Sequence, residues 1–155
     1  MTAIPWFSTF TLFTEIIVTG AVLYVIYSGY AKNRFPSRIA AAALSYEILF
    51  NISYMASRLV THEDSKQYPD SPFHIALAIF HGSFSLLMFI LLLVFMFFAW
   101  KGYRRGENFF RVRRKLTIIF IVSWMIAVLS GFLFYYEAYF SPEEIRTRQS
   151  AAQEP

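Results

Sequence analysis

Apolar residues dominate four long stretches of the chain, 7–30, 39–60, 73–100 and 116–140, and polar or charged residues cluster between them. Each stretch exceeds the roughly 20 residues that cross a hydrocarbon core about 30 Å thick. Backbone groups in lipid must be satisfied internally, which only helices and closed barrels achieve. The runs lack the strict alternation of barrel strands, so the pattern predicts α-helices. The first stretch has no Lys or Arg before it and is too long for the apolar part of a cleaved signal peptide, so it is expected to stay as a helix. The third is the longest and is expected to tilt or to emerge from the membrane. The expected fold is therefore an all-α integral membrane four-helix bundle over 1–140, followed by a polar tail, 141–155.

Local punctuation agrees with helical hairpins. Ser37 after Pro36 suits the start of the second helix and Ser71 before Pro72 the start of the third. Ser141-Pro142-Glu143-Glu144 reads as a capping box opening a short surface helix. Gly29-Tyr30 followed by Lys32 echoes Gly102-Tyr103 followed by Arg105, each leaving an odd-numbered helix for a basic loop.

Composition narrows the class further. The chain has 155 residues, 57% hydrophobic and only 15% charged, against about 25% charged in average soluble domains, so lipid is the expected solvent. The absence of cysteine excludes disulfide frameworks, zinc ribbons, thiolate copper sites, iron–sulfur clusters and cysteine nucleophiles. The net charge of +4 would suggest nucleic acid only if the basic residues formed a folded patch. They are instead divided by topology. Lys32, Arg34 and Arg38 in one loop, with Lys101, Arg104, Arg105, Arg111, Arg113, Arg114 and Lys115 in another, make ten of the fourteen Lys and Arg. That side is expected to be cytoplasmic, with both termini and loop 61–72 outside, in the periplasm. Tyr24, Tyr27, Tyr30, Trp100 and Tyr103 would mark the inner boundary, and Trp6, Tyr68, Tyr135, Tyr136 and Tyr139 the outer one.

Polar residues inside the spans are the candidates for chemistry, because an ionisable group in lipid is costly unless paired or facing a cavity. Glu47, Asn51, Tyr54, Arg58 and His62 fall within a stripe about 80° wide at 100° per residue. His74, His81 and Ser85 make a second seam, and Ser8, Thr11, Glu15 and Thr19 a third. Turned inward, these seams would enclose a polar core. Ala41 with Ser45, and Ala127 with Gly131, would let helices approach closely. Counted along the helices, Glu15 and His81 both lie roughly 12 Å below the outer surface and could meet, and Glu47 lies near the midplane. Arg58, His62, His74 and Glu137 lie near the outer boundary, with Arg58 and Glu137 a second potential pair. These residues serve either as register-fixing pairs or as a ligand, quinone or proton site. No cofactor is expected; for haem or copper the ligand candidates are His81, His62 and His74. There is no phosphate loop, no Ser-His-Asp arrangement with workable spacing and no His-x-x-x-His pair. Trp124, mid-helix, reads as packing.

The runs Leu49-Phe50-Asn51-Ile52-Ser53-Tyr54 and Pro72-Phe73-His74-Ile75-Ala76-Leu77-Ala78-Ile79-Phe80-His81, and the basic run Arg111-Val112-Arg113-Arg114-Lys115 leading to Trp124, Ser130-Gly131 and Tyr135-Tyr136, resemble the YozB/CtaM-like family of small four-helix bacterial membrane proteins, a domain of unknown function. The resemblance covers roughly 37–140. It implies association with haem-copper cytochrome oxidases. His81 falls where the family has a histidine. Arg58 stands where the family closes its second helix with one, His62 lies one turn later, and the basic runs lack the family's histidines. These departures favour a partner subunit without catalytic activity of its own over a cofactor carrier. The expectation is an accessory or assembly subunit of a membrane respiratory complex, docked on larger membrane subunits and lipids. The alternatives are a haem-, copper- or quinone-binding redox module facing the outer side, and a small proton-coupled transporter using Glu47.

Overall fold

The computed structural model describes the backbone of residues 6–60 and 72–140 and, within it, the side chains of 9–53, 72–73, 75–137 and 140. All elements in this part are helical, in the order α1 (Trp6–Lys32), α2 (Ser37–Val60), α3 (Pro72–Arg104), α4 (Phe109–Val112) and α5 (Arg114–Phe140). The capping box at 141–144 lies outside the described residues.

Two features differ from the four-span expectation. First, there are five helices, because the basic loop 101–115 contains the single-turn α4. Second, among the described residues three helices are long and apolar enough to cross a membrane: Thr9–Lys32, Ile75–Arg104 and Arg114–Glu137, with mean hydropathies of 1.8, 2.5 and 2.4. Helix α2 has the length, at 24 residues, and its side chains beyond residue 53 lie outside the described residues.

The long helices form a ring. Helix α1 packs against α2 and α5, and α3 packs against α2 and α5, so α1 and α3 sit on one diagonal and α2 and α5 on the other. Val18, Val22, Val25 and Ile26 of α1, Ala40 and Ala43 of α2, Met88, Leu92, Phe95, Met96 and Ala99 of α3, and Phe120, Trp124, Ala127 and Val128 of α5 fill the middle. Phe13, Ile17, Leu49, Ile52, Ile79, Phe97, Ile119 and Leu129 point outward. An apolar outer surface together with an apolar core suits a bundle whose solvent is lipid.

One end of the ring is closed by α4. Helix α3 stops at a Schellman turn: Gly106, at φ 80°, donates to Tyr103 O at 3.0 Å and Glu107 N donates to Gly102 O at 3.1 Å. Glycine fits there because a Cβ disfavours that backbone region. Asn33 ends α1 in the same left-handed region, at φ 50°, and donates to Gly29 O at 3.1 Å. Between them Phe109 and Phe110 drive into the bundle, Phe110 with no exposed surface. Phe110 rests against Gly29, where any Cβ would strike its ring, and a Cβ on Gly102 would lie 3.1 Å from Phe109 Cβ. The two glycines of the Gly-Tyr echo are thus the two seats for the phenylalanines of α4. Phe35, Tyr103, Phe95 and Phe120 complete an aromatic plug, with Phe95 stacked on Phe120 at 4.4 Å.

Candidate functional site: polar nodes between the helices

The polar seams resolve into separate nodes, each at one helix–helix contact. Between α1 and α2, Tyr46 donates to Thr14 Oγ1, and Thr14 in turn donates to Phe10 O at 3.1 Å and Thr11 O at 2.9 Å. Glu47, the next residue of α2, is only 5% exposed. Its Oε2 accepts from Asn51 Nδ2 at 3.2 Å, and the same amide donates to Glu47 O at 2.8 Å. The four-residue spacing of Glu47 and Asn51 stacks them on one face. Oε1 is buried and takes no hydrogen bond.

Between α3 and α5, His81 is held from three sides. Ser130 Oγ donates to Ala127 O at 2.7 Å, so it meets His81 Nδ1, 2.9 Å away, as an acceptor. Nδ1 therefore carries the ring proton, shared with Ser85 Oγ at 3.2 Å. Nε2 is left as the basic nitrogen, the only ring position that could ligate a haem iron or copper. The ring stacks on Phe134 at 6.0 Å and lies over Gly131, where a Cβ would come within 2.8 Å of its Cε1. The Ala127 and Gly131 pair thus makes room for an imidazole.

Helices α1 and α5 are joined at two levels. Trp124 donates Nε1–H to Thr19 Oγ1 at 3.2 Å, both residues buried, so the mid-helix tryptophan is a hydrogen-bonded packing residue. Near the helix ends Thr9 and Tyr135 hydroxyls lie 2.9 Å apart.

The nodes pair residues differently from the depth count. His81 falls to the α3/α5 contact, with Ser130 and Ser85 as its hydrogen-bond partners, and Glu15 of α1 is not among them. Depth along a helix gives height but not azimuth, and the ring order puts α1 and α3 on a diagonal. Tyr54 and Arg58 lie in α2 and His74 in α3, but their side chains, like all of His62, lie outside the described residues. Glu137, in the last turns of α5, is half-buried. No group of three His, Asp or Glu side chains that could hold a metal ion lies among the described residues.

All ten loop cations lie at the α4 end. Lys101 and Arg104 close α3, Arg105 lies in the following turn, Arg111 and Arg113 belong to α4 and its cap, and Arg114 and Lys115 open α5. Arg104 lies 5.1 Å over the Trp100 ring and Lys32 6.0 Å over that of Tyr27, each cation next to a boundary aromatic.

The residue that the sequence pattern did not single out is Asn108. Its Oδ1 caps α4 by accepting from Arg111 N at 3.1 Å and also accepts from Tyr103 OH at 2.7 Å, and its Nδ2 donates to Gly29 O at 3.0 Å. One side chain ties α1, α3 and α4 together. The readable signal was the Phe109-Phe110 pair, two large apolar residues in an otherwise basic loop.

No family model, no curated protein and no solved structure matches the chain. The family resemblance therefore rests on the residue runs themselves.

Proposed function

We propose that the chain is an accessory or assembly subunit of a membrane respiratory complex, with a haem-copper oxidase or an associated electron-transfer complex as its partner. In this reading α2 also crosses the cytoplasmic membrane, completing four spans, and the α4 end faces the cytoplasm. The observation that carries the reading is the filled interior. Val22, Val25, Met88, Leu92 and Phe110 are each at most 2% exposed, and the polar side chains near them are spent on joining helices. A bundle packed in this way presents its chemistry through its outer surface, where ridges such as Val94, Phe97 and Phe98 of α3 are exposed. The class of partner comes from the resemblance of 49–54, 72–81 and 111–115.

Purification in mild detergent, with identification of every copurifying chain, tests the proposal. Respiratory subunits should accompany the protein, and the isolated chain should show no Soret band. A chain that purifies alone with about one haem per molecule, lost in His81→Ala, would replace this reading with the redox module.

A further inference from the structure

We propose that the groove between α1 and α5 at the basic end of the bundle binds one anionic phospholipid, with its phosphate at Arg114 and an acyl chain between the two helices. The proposal goes beyond the accessory role and does not depend on it, since α1 and α5 are both long and apolar enough to cross a membrane.

The groove, of about 450 Å³, is lined from α1 by Leu23, Ile26, Tyr27 and Tyr30. From α5 it is lined by Arg114, Thr117, Ile118 and Ile121. Both sets have the spacing i, i+3, i+4, i+7, which is one face of a helix. Helix α1 ends and α5 begins at the basic end, so Tyr30 and Arg114 mark the mouth. Leu23 and Ile121 lie seven residues further along their helices, about 10 Å deeper. Polarity changes over that length. Leu23, Ile26, Ile118 and Ile121 make the inner part apolar, and the Thr117 hydroxyl is spent on Phe110 O and Arg113 O. The outer part offers the Arg114 guanidinium and the Tyr27 and Tyr30 hydroxyls.

Charge at the mouth selects the occupant. Arg114 is exposed and forms no ion pair among the described residues. Lys32 lies 6.0 Å over the ring of Tyr27, which brings a second cation to the same wall. Among the described residues no Asp or Glu lines the groove, and Glu107 is the one acid in the two basic loops. A neutral apolar occupant would leave these cations without a counter-charge. A phosphodiester supplies anionic oxygens at the level of the guanidinium, while its acyl chain covers the isoleucines further in. A second groove, lined by Thr9, Phe10, Phe13, Thr14 and Ile17 of α1, carries no charge at all.

Native mass spectrometry of the purified full chain in mild detergent, titrated with phosphatidylglycerol or with phosphatidylcholine of the same acyl chains, tests the proposal. One phosphatidylglycerol per chain should bind about tenfold more tightly than phosphatidylcholine, whose choline cancels the phosphate charge. Arg114→Gln should remove that preference, whereas Arg104→Gln, whose cation lies over Trp100, should keep it. Ile118→Trp, at an exposed position, should fill the groove and weaken both lipids about tenfold, the equivalent of two methylenes kept out of it. Inorganic phosphate should displace phosphatidylglycerol no better than chloride at the same ionic strength. Equal binding of the two lipids would overturn the proposal by making the groove a neutral apolar seat. Equal losses in Arg104→Gln and Arg114→Gln would overturn it by assigning the preference to the diffuse charge of the basic end. So would unchanged binding in Ile118→Trp, which would put the lipid elsewhere, or displacement by inorganic phosphate, which would make the site one for free anions.

Discussion

The imidazole of His81 shows how one polar side chain is accommodated between two apolar helices. Its ring proton is satisfied by Ser130 and Ser85, its flat face is matched by Phe134, and the space for it is the missing Cβ of Gly131. Gly131→Ala should therefore push the ring off its seat and cost about 1–3 kcal/mol, the usual range for an overpacked contact. The same substitution in a His81→Ala background should cost less by about 1 kcal/mol or more, since the clashing atoms are gone. Thermal unfolding of the four purified proteins in one detergent completes this cycle. Additive losses would mean that Gly131 is small for a reason other than His81. The individual polar residues were legible in the sequence because lipid makes each of them an exception. Their partners were not, since a helical stripe names the face a residue shares and leaves open which neighbour that face meets. Glu15, level with His81 by depth, is not among its partners because the ring puts α1 and α3 on a diagonal.

At the scale of elements, the long helices follow from apolar runs whose length the bilayer sets, and the structure extends each by two to five residues in all into its flanking polar segments. Helix α4 escapes such reasoning. Four residues cannot form a stable helix alone, and Phe109–Val112 exists because Phe109 and Phe110 are buried while Asn108 supplies the cap. Removing the Asn108 side chain deletes the cap and the bonds to Tyr103 and Gly29 O together. Asn108→Ala should lower stability by about 1–2 kcal/mol. Asn108→Asp keeps the two accepting contacts of Oδ1 and loses only the donor to Gly29 O, so it should fall between alanine and wild type. Unfolding temperatures of the three proteins decide this; an aspartate variant no better than alanine would assign the whole effect to the Gly29 tether.

For the whole molecule, charge and packing converge on one end. The same segment that collects the loop cations also carries the aromatic plug, the two left-handed helix ends and the Asn108 hub, so the basic end is the structurally closed end of the bundle. The proposed orientation puts it in the cytoplasm, because Lys and Arg flanking short loops resist translocation. The chain contains no cysteine, so a single introduced thiol reports its own side without background. Glu107 is the suitable inner position: it is exposed and its side chain makes no contact in the plug, unlike that of Asn108. In intact cells Glu107→Cys should stay unlabelled by a membrane-impermeant maleimide and react once the membrane is opened, whereas Ser65→Cys and Gln149→Cys should react from outside. Glu107→Cys reacting in intact cells while the other two stay protected would invert the bundle and place the cationic end outside. Ser65 and Gln149 reacting from opposite sides would mean an odd number of crossings between them, against the two that α3 and α5 provide in this reading.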